Sequence, residues 1–270
     1  MKPYIVLEKK VGQTPLQVLD VYKQEHSELA LVPMAYAGRL DPMASGKLLV
    51  LMGDECKVQE KYHSLDKEYT FEVLFGVYSD TADVLGLLET CTVPPITKVA
   101  IEKVIAKLEG EVCLPYPHFS SKTVQGKPLH VWKLEGRIEE IEIPTKHSTI
   151  YNFKLKDLRT ITATEVYTTT TEKIETIPKV TEVSKALGND FRRDDVRQCW
   201  KKFNTDTNPK DLYYVATFTC IASSGTYMRT LAEVIAKELG TCGLAYSIHR
   251  STIGRYKKLP FGFGFWKKKF

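Results

Sequence analysis

The sequence contains no uninterrupted run of about 18 apolar residues, and it therefore predicts no transmembrane helix. The chain reaches Glu8 after only a few apolar residues, so we expect no signal peptide. No Cys-x-x-Cys pair occurs among the cysteines, which lie at positions 56, 91, 113, 199, 220 and 242. This scatter predicts neither a zinc site nor a disulfide framework, and it is typical of a protein from a reducing cytosol.

The sequence also lacks a strong charge excess. Its formal net charge of +5 is compatible with a polyanionic partner without identifying one. The C-terminal stretch, however, contains cations and no acid: Arg255, Lys257, Lys258, Lys267, Lys268 and Lys269. It also contains the aromatic residues Tyr256, Phe261, Phe263, Phe265, Trp266 and Phe270. Such a mixture either pairs with phosphates and stacks on bases, or forms a solubilising tail or a partly packed terminal strand.

A hydrophobic content of 43% over 270 residues is enough for a sizeable core, in one large domain or two small ones. Strand and helix patterns are mixed along the chain without a regular βαβ repeat, and this order favours an α+β fold. A strand is predicted where apolar residues alternate with others, at Tyr69, Phe71, Val73, Phe75 and Val77.

Three helices are predicted from apolar residues at helical spacing. Thr14 and Pro15 suit the start of the first helix, because threonine can cap it and proline fits its first turn. Gly110 and Gly240 are expected to end the second and third. The three apolar stripes are Leu16, Leu19 and Tyr22, then Ile101, Val104, Ile105 and Leu108, and then Leu231, Val234, Ile235 and Leu239.

Residues 160–212 differ in character from their surroundings. They begin with polar, β-branched sequence and continue into a helical stretch with one apolar face, at Val196, Trp200 and Phe203. The basic residues of this stretch are Arg192, Arg193, Arg197, Lys201 and Lys202. We interpret the segment as an insertion subdomain whose basic face either touches RNA or is only solvated.

The first segment that can carry chemistry spans residues 36–46. Gly38 and Gly46 flank an Asp-Pro step, which predicts a tight, ordered loop. Because Pro42 keeps Asp41 out of the helical region, the Asp41 carboxylate can project from that loop. By itself, an Asp-Pro step is more often an ordinary turn than a catalytic site.

The second segment begins with Lys67 and Tyr69 and ends in a loop that contains Asp80 and Asp83. Two acids three residues apart could bind a metal ion, but no further ligands cluster nearby, and hydrogen bonds of an Asx turn are favoured. The third segment, residues 220–230, is a Ser/Gly-rich turn at a helix start, which offers N–H groups to a phosphate. Arg229 lies where the helix dipole disfavours a cation, so it is either an exposed arginine or one with a partner.

Taken in order, these segments resemble the TruB family of pseudouridine synthases, which isomerise uridine in the T-loop of tRNA. Residues 9–14 resemble the family's opening Lys-Pro-x-Gly-x-Thr, with Lys10 in place of proline. Residues 120–129 are similar to its Ser-Ala-x-Lys-x-x-Gly-Lys-x-Leu stretch, with Thr123 in place of lysine. Residues 248–250 resemble its Leu-Arg-Arg. Several motifs in one order are far more specific than any one of them.

The resemblance implies the pseudouridine synthase fold, with a mixed, mostly antiparallel central sheet flanked by helices. We therefore assign residues 1–159 and 213–258 to a catalytic domain, and residues 160–212 to the insertion subdomain. Residues 259–270 form the basic-aromatic tail. We do not expect the RNA-binding domain called PUA, with which many family members continue, because the sequence ends too soon for one.

The resemblance also implies the reaction, at position 55 of tRNA. The N1–C1′ bond of uridine is broken, and the base is rotated and rejoined through C5. No redox change and no external group are involved, so neither a cofactor nor a metal ion is expected. The implied partner is the T-arm of tRNA, and we expect a cytoplasmic monomer that is not bound to a membrane.

Three residues are implied to be catalytic. Asp41 matches the family's nucleophile, which attacks either C1′ of the ribose or C6 of the base. Arg229 matches the arginine that favours the ionised form of this carboxylate. Tyr69 matches the tyrosine that stacks on the target base and is a candidate for removing the C5 proton.

Four further residues are implied to bind the substrate. Ile248 matches an apolar residue that packs against the base, and Arg250 belongs to the same motif. Lys67 matches a lysine that is either structural or in contact with phosphate. Tyr36 stands where the family has a histidine that replaces the stacking lost when the base is extruded. Tyrosine keeps an aromatic face but has no imidazole.

Two other functions compete with a stand-alone tRNA enzyme. A related catalytic subunit modifies ribosomal RNA under a guide RNA, but such subunits carry a PUA domain and extra docking surfaces. The other competing function is that of a non-catalytic RNA-binding or RNA-folding module, which would not need a nucleophile such as Asp41. Modification of a tRNA transcript discriminates among the three.

Overall fold

The computed structural model describes residues 2–180, 192–259 and 263–270. The strands in these ranges are β1 Tyr4–Lys9, β2 Met34–Tyr36, β3 Ala44–Met52, β4 Asp66–Phe75, β5 Val77–Ser79, β6 Leu88–Thr90, β7 Gly110–Pro115, β8 Thr123–Val124, β9 Lys127–Pro128, β10 Thr145–Thr162, β11 Leu212–Ala222, β12 Gly243–Lys258 and β13 Gly264–Lys269. The helices are α1 Pro15–Glu25, α2 Glu60–His63, α3 Lys98–Leu108, α4 Leu129–Leu134, α5 Ala163–Glu175, α6 Arg193–Asp206 and α7 Met228–Glu238. Among these described helices, none is both long and apolar enough to cross a membrane.

A nine-stranded sheet forms the centre of the molecule. Seven strands follow in the order β1-β3-β12-β4-β11-β10-β7, while β2 pairs with β3 and β13 pairs with β12. Among the described strands of this sheet, β12 and β3 are parallel and the other pairs are antiparallel. The main hydrophobic core joins the sheet to α3, α5, α6 and α7. This arrangement confirms the predicted α+β fold with a mostly antiparallel sheet flanked by helices.

The three predicted helices are confirmed as α1, α3 and α7. At the start of α1, the Thr14 hydroxyl accepts a hydrogen bond from the Gln17 N–H at 3.2 Å, and the Gln17 side chain accepts one from the Thr14 N–H at 2.8 Å. The predicted apolar stripe of α1 is partly wrong, because Leu16 is 49% exposed. Val18 and Leu19 are the residues that α1 buries.

The predicted strand around Tyr69 is confirmed as β4, but it ends before Val77. Gly76 has a φ of +90°, a conformation that residues other than glycine adopt only with strain. A Cβ at this position would also lie 2.5 Å from Cγ2 of Val93. Gly76 therefore breaks the strand, and Val77 begins β5.

The segment 160–212 connects the neighbouring strands β10 and β11 through α5 and α6. Trp200 and Phe203 of α6 are buried in the main core, and the Trp200 indole donates a hydrogen bond to the Val84 carbonyl at 3.0 Å. The two helices are thus packed on the sheet, and the boundary at residue 160 lies inside β10. Residues 181–191 are outside the described residues, and the assignment of an added subdomain stays a prediction.

Part of the basic-aromatic tail forms β13, which pairs with β12. The ring of Phe270 lies 5.0 Å from that of Tyr4 and 5.9 Å from that of Tyr62, centroid to centroid. Residues 263–270 therefore form a partly packed terminal strand, one of the alternatives predicted for the tail. Phe261 lies outside the described residues.

The expectation that the scattered cysteines form no disulfide framework is wrong for one pair. Cys91 and Cys242 are joined by a disulfide bond across a sequence separation of 151 residues. It links the segment after β6 to the residue that precedes β12. Two cysteines so far apart show no recognisable spacing, and only the fold brings them together.

Candidate active site

A cavity of about 910 Å³ lies where the loop before β3 meets β4, β12 and the start of α7. Its volume is in the range of cavities that hold small organic ligands. It brings together all but one of the predicted site residues: Asp41, Lys67, Tyr69, Arg229, Ile248 and Arg250. These residues are up to 209 positions apart in the sequence, so their meeting depends on the sheet order.

Two glycines fix the shape of the loop that carries Asp41. Gly38 and Gly46 have φ values of +94° and +112°, where side chains are poorly tolerated. A Cβ at Gly46 would lie 2.3 Å from the carbonyl oxygen of Arg250, so the parallel approach of β3 to β12 requires glycine. The loop is tight, as predicted, and the Asp41 side chain is 40% exposed towards the cavity.

Lys9 supports this loop from within the protein. It is fully buried, and its Nζ donates hydrogen bonds to the carbonyl oxygens of Lys10, Pro42 and Ala44 at 3.1, 3.3 and 2.5 Å. Burial lowers the pKa of Lys9 to about 8, and the nearby Asp41 carboxylate opposes this shift. In the sequence, Lys9 appears only as part of a motif. Its contacts with Pro42 and Ala44, which follow Asp41, become visible only in the fold.

Arg250 supports the same loop from β12. It is 1% exposed. Its Nε donates to the Lys47 carbonyl at 2.8 Å, Nη1 to the Arg39 carbonyl at 3.1 Å and Nη2 to the Gly38 carbonyl at 3.3 Å. The guanidinium is therefore engaged by the backbone on both sides of Asp41, and a contact of Arg250 with substrate stays a prediction.

Arg229 is the cation that faces Asp41. It lies in the first turn of α7 and is 4% exposed, which excludes the alternative of an exposed helix arginine. Its Nε donates to Oδ2 of Asp41 at 2.8 Å. Its Nη1 donates to the Thr81 carbonyl at 2.8 Å and its Nη2 to the Phe119 carbonyl at 3.1 Å. These three bonds fix the plane of the guanidinium and therefore the direction from which it meets Asp41.

A second carboxylate, that of Asp83, lies against Arg229, with Oδ2 at 3.7 Å from Nε. Oδ1 of Asp83 accepts hydrogen bonds from the Thr81 hydroxyl at 2.7 Å and the Leu85 N–H at 2.9 Å, as expected for an Asx turn. Burial raises the pKa of Asp83, and Arg229 opposes this shift. Burial also lowers the pKa of Arg229, but Asp41 and Asp83 outweigh it and raise that pKa overall.

Asp80, the other acid of this loop, pairs with a different cation. Its oxygens accept hydrogen bonds from Nη1 and Nη2 of Arg192 at 2.5 and 3.2 Å. Asp80 and Asp83 are thus paired with different arginines, Arg192 and Arg229. In the part of the chain that the structure describes, no group of three or more His, Cys, Asp or Glu residues could hold a metal ion.

Tyr69 and Ile248 form an aromatic and apolar wall of the cavity. Tyr69 lies on β4 and is half-buried, and Ile248 lies on the neighbouring β12 and is 6% exposed. Burial raises the pKa of Tyr69, an effect that Arg250 partly opposes. The phenol therefore keeps its proton near neutral pH.

Lys67 connects β4 to the turn before α7. Its Nζ donates hydrogen bonds to the Leu65 carbonyl and, at 3.3 Å, to the Ser224 hydroxyl. Burial, and then the charge of Arg250, lowers the pKa of Lys67 to about 8. These contacts give Lys67 a structural part in the site, and its contact with phosphate stays a prediction.

Tyr36 is the predicted site residue that does not line this cavity. It ends β2 and packs against a separate cluster that includes Val18, Leu19 and Leu48. Its position five residues before Asp41 does not determine on which side of the loop its ring lies. Stacking by Tyr36 on an extruded base therefore stays a prediction.

The end of α5 and the start of α6 form another wall of the cavity. Arg197 donates hydrogen bonds to Glu175 at 2.7 Å and to the Ile174 carbonyl at 3.2 Å, while Arg193 donates to the Ile177 carbonyl at 2.5 Å. Two of the five predicted basic residues thus satisfy carbonyl groups near the C-terminus of α5. A direct contact between this basic face and RNA stays a prediction.

The chain is similar to proteins of one named activity. The tRNA pseudouridine synthase B of Caldicellulosiruptor saccharolyticus is 27% identical over 254 residues, which cover 94% of this chain and 68% of that protein. The enzyme of the same name from Caldanaerobacter subterraneus is 34% identical over 148 residues, covering 54% and 50%. The one from Hydrogenovibrio crunogenus is 29% identical over 251 residues, covering 93% and 64%. The chain thus spans about half to two thirds of the length of these relatives.

A chain of a solved Cbf5–Nop10–Gar1 complex has the same fold, with a TM-score of 0.54 at 16% identity over 93% of this chain and 48% of that one. The family model described as TruB family pseudouridylate synthase (N terminal domain) matches residues 28–175, more than half of the chain. This match includes Asp41 and Tyr69, and it confirms the family that the sequence motifs resemble. The protein therefore belongs to the TruB family of pseudouridylate synthases.

Proposed function

We propose that this protein isomerises a uridine in the T-loop of tRNA, at position 55, to pseudouridine, with Asp41 as nucleophile. The observation that carries the proposal is the ion pair between the accessible Asp41 carboxylate and the buried Arg229 on the wall of a cavity. The names of the relatives, tRNA pseudouridine synthase B, support the substrate.

The reaction conserves atoms and electrons. The N1–C1′ bond breaks, the uracil rotates, a C5–C1′ bond forms, C5 loses its proton and N1 gains one. A nucleophile that bonds to C1′ or to C6 divides this rearrangement into easier steps and then leaves unchanged. Asp41 meets the requirement because its carboxylate is open to the cavity while the rest of its loop is held by Lys9 and Arg250.

Arg229 orients the Asp41 carboxylate through a direct charge-assisted hydrogen bond of 2.8 Å. Tyr69 offers an aromatic ring for the uracil face, and Ile248 offers an aliphatic side chain. If the phenol of Tyr69 removes the C5 proton, a bound substrate must first lower its pKa, because burial raises it in the free protein. Stacking needs no such change, because the neutral phenol ring can lie against a base as it is.

A uridine inside the T-loop must be extruded before its C1′ or C6 meets Asp41, at a cost of a few kcal/mol. The cavity of about 910 Å³ has room for a nucleotide, and its aromatic and apolar residues replace part of the lost stacking. We propose that the protein does this as a cytoplasmic monomer. Sedimentation of the free protein and of its tRNA complex tests the monomer.

The direct test of function uses a tRNA transcript whose uridines carry tritium at C5. Pseudouridine formation releases this label to water, because the C5–H bond is replaced by C5–C1′. We expect release of one equivalent per tRNA without any added RNA, and none from a transcript with cytidine at position 55. Release that requires a guide RNA, or that occurs only from ribosomal RNA, would replace the tRNA proposal by the guide-dependent one. Binding of tRNA without release would leave a non-catalytic module.

The Asp83→Asn variant tests the positioning of Arg229. We expect it to reduce kcat by roughly tenfold to a hundredfold, because the neutral amide no longer holds the guanidinium from its second side. Asp83 is a positioning residue, so KM for tRNA is expected to change little. The matched control is Asp80→Asn, three residues away, which breaks the Arg192 pair and leaves Arg229 in place. Equal losses in the two variants would show that loop integrity, and not Arg229, is what Asp83 provides.

A further inference from the structure

We propose that the hairpin of β12 and β13 is a second RNA-binding surface, which contacts the phosphate backbone of tRNA outside the cavity. The inference rests on the proposed function for the identity of the RNA. Its physical basis is the way in which the strand register sorts charged residues between the two faces of this hairpin.

The strand register places cations from both strands on one face of the hairpin. Lys257 lies opposite Phe265, and Arg255 lies opposite Lys268, with a register shift between these two pairs. Directly opposed residues of antiparallel strands share a face. The shift inserts Lys267 as an extra residue, and bulged residues depart from strict alternation. Arg255, Lys257 and Lys268 are thereby placed on the same face, with Lys267 beside them.

The nearby acids lie on the other face of β12. Asp66 pairs in register with Gly254 and Glu68 with Thr252, positions that alternate away from Arg255. Asp66 also accepts a hydrogen bond from the Tyr256 N–H at 2.7 Å. The acids next to β12 are therefore turned away from the cationic face and do not neutralise it.

The hairpin is anchored. The Phe270 N–H donates a hydrogen bond to the Ile253 carbonyl at 2.9 Å, and the Phe270 ring packs on Tyr4. A Cβ at Gly254 would lie 2.0 Å from the Lys268 carbonyl, so glycine permits the close approach of β13. A surface held in this way presents its charges in a defined pattern, unlike a mobile basic tail.

An aromatic ring completes the surface. Phe265 is 49% exposed and lies directly opposite Lys257. An exposed aromatic ring opposite a cation suits a polyanion whose bases or sugars offer flat, partly apolar surface. This combination favours nucleic acid over an acidic protein as the partner.

The surface is within reach of an RNA bound in the cavity. Arg250 borders the cavity, and Arg255 lies five residues further along the same strand, which is about 17 Å at the usual rise per residue. A tRNA whose T-loop enters the cavity extends well beyond that distance. We therefore expect the hairpin to contact the helical stem next to the loop.

The test measures tRNA affinity as a function of salt concentration. The hairpin variant carries Arg255→Gln, Lys257→Gln and Lys267→Gln, three residues that are exposed. Each lost phosphate contact should reduce the slope of log K against log salt by about 0.7 to 0.9, so the loss of three contacts should reduce it by about 2 to 3. Affinity near physiological ionic strength should fall by about tenfold or more, and kcat/KM should fall with it.

The matched control removes three exposed lysines elsewhere, through Lys98→Gln, Lys103→Gln and Lys156→Gln. It has the same change in net charge and should keep the slope of the unmodified protein. Equal slopes in the two triple variants would overturn the inference, since the effect would then be one of net charge alone. If the hairpin triple variant unfolds, Lys257→Gln alone should still reduce the slope by about 0.7 to 0.9, and an unchanged slope would overturn the inference as well.

Failure of the hairpin and failure of the proposed function are distinguishable. Binding is measured without turnover, whereas tritium release reports the reaction. If the protein releases tritium but the hairpin variant has the salt slope of the unmodified protein, the proposed function stands and the hairpin surface is rejected. If the hairpin variant has a reduced salt slope but the unmodified protein releases no tritium, the RNA-binding hairpin stands and the enzymatic function is rejected.

Discussion

The Asp41→Asn variant should form pseudouridine about ten-thousand-fold more slowly than the unmodified protein, or not measurably, while binding tRNA with an affinity within about threefold. Asparagine has nearly the same shape, and its carbonyl oxygen can still accept the hydrogen bond from Nε of Arg229. It lacks the negative charge and the nucleophilic oxygen. The effect should therefore fall on the chemical step, which single-turnover kinetics at saturating protein measure.

Asp20→Asn is the matched control for this variant. Asp20 also lines the cavity, on α1, and its replacement removes the same charge. We expect its rate to stay within about threefold of the unmodified protein. Similar losses in both variants would mean that the cavity needs negative charge in general, and Asp41 would lose its special role.

The second large effect is expected for Arg229→Met. It removes the cation between Asp41 and Asp83, so both carboxylates lose their counter-charge and two backbone carbonyls lose their donors. We expect a loss of roughly a hundredfold to a thousandfold in kcat. The free energy of unfolding should also fall, by about 3 kcal/mol, because a buried carboxylate is left unpaired. Urea denaturation and single-turnover kinetics measure the two effects separately.

Arg229→Lys distinguishes charge from geometry. Lysine keeps the positive charge but cannot donate in three fixed directions, to Asp41, Thr81 and Phe119. We expect it to recover most of the stability and only part of the rate. Full recovery of the rate would show that a cation suffices, and that the fixed orientation of the guanidinium does not matter.

The protonation of Asp83 gives the Arg229 variants a pH signature. Burial raises the pKa of Asp83 and Arg229 opposes this, so removal of Arg229 should raise that pKa further. A carboxyl group whose pKa is higher in the folded than in the unfolded state destabilises the fold at any pH at which it must ionise. The stability lost in Arg229→Met should therefore be smallest at acidic pH, and should grow as pH rises through the folded-state pKa of Asp83.

Local patterns were enough to predict those parts of the site that depend on backbone chemistry. The glycines around Asp41 predict a tight loop. The position of Arg229 at a helix start predicts that its side chain either is exposed or has a partner. The chain order of the motifs then identifies the family. None of these patterns could show that Lys9 donates to Pro42, since that contact depends on the pairing of β1 with β3.

Other features depend on distant contacts that leave no local trace. The Cys91–Cys242 bond spans 151 residues, and Tyr36 faces the α1 side of its strand instead of the cavity. The alternation of cations and aromatics near residue 265 fits either a tail or a strand. Only the pairing of β13 with β12 shows that it is a strand.

The most direct test of the account is to map pseudouridine, nucleotide by nucleotide, in an unmodified tRNA transcript treated with the protein or with Asp41→Asn at equal tRNA occupancy. We predict one new pseudouridine, at position 55 of the T-loop, with the unmodified protein and none with the variant. The same modification by both proteins would contradict the assignment of Asp41. If neither protein formed pseudouridine while tRNA was bound, the proposal that this protein is an enzyme would be contradicted.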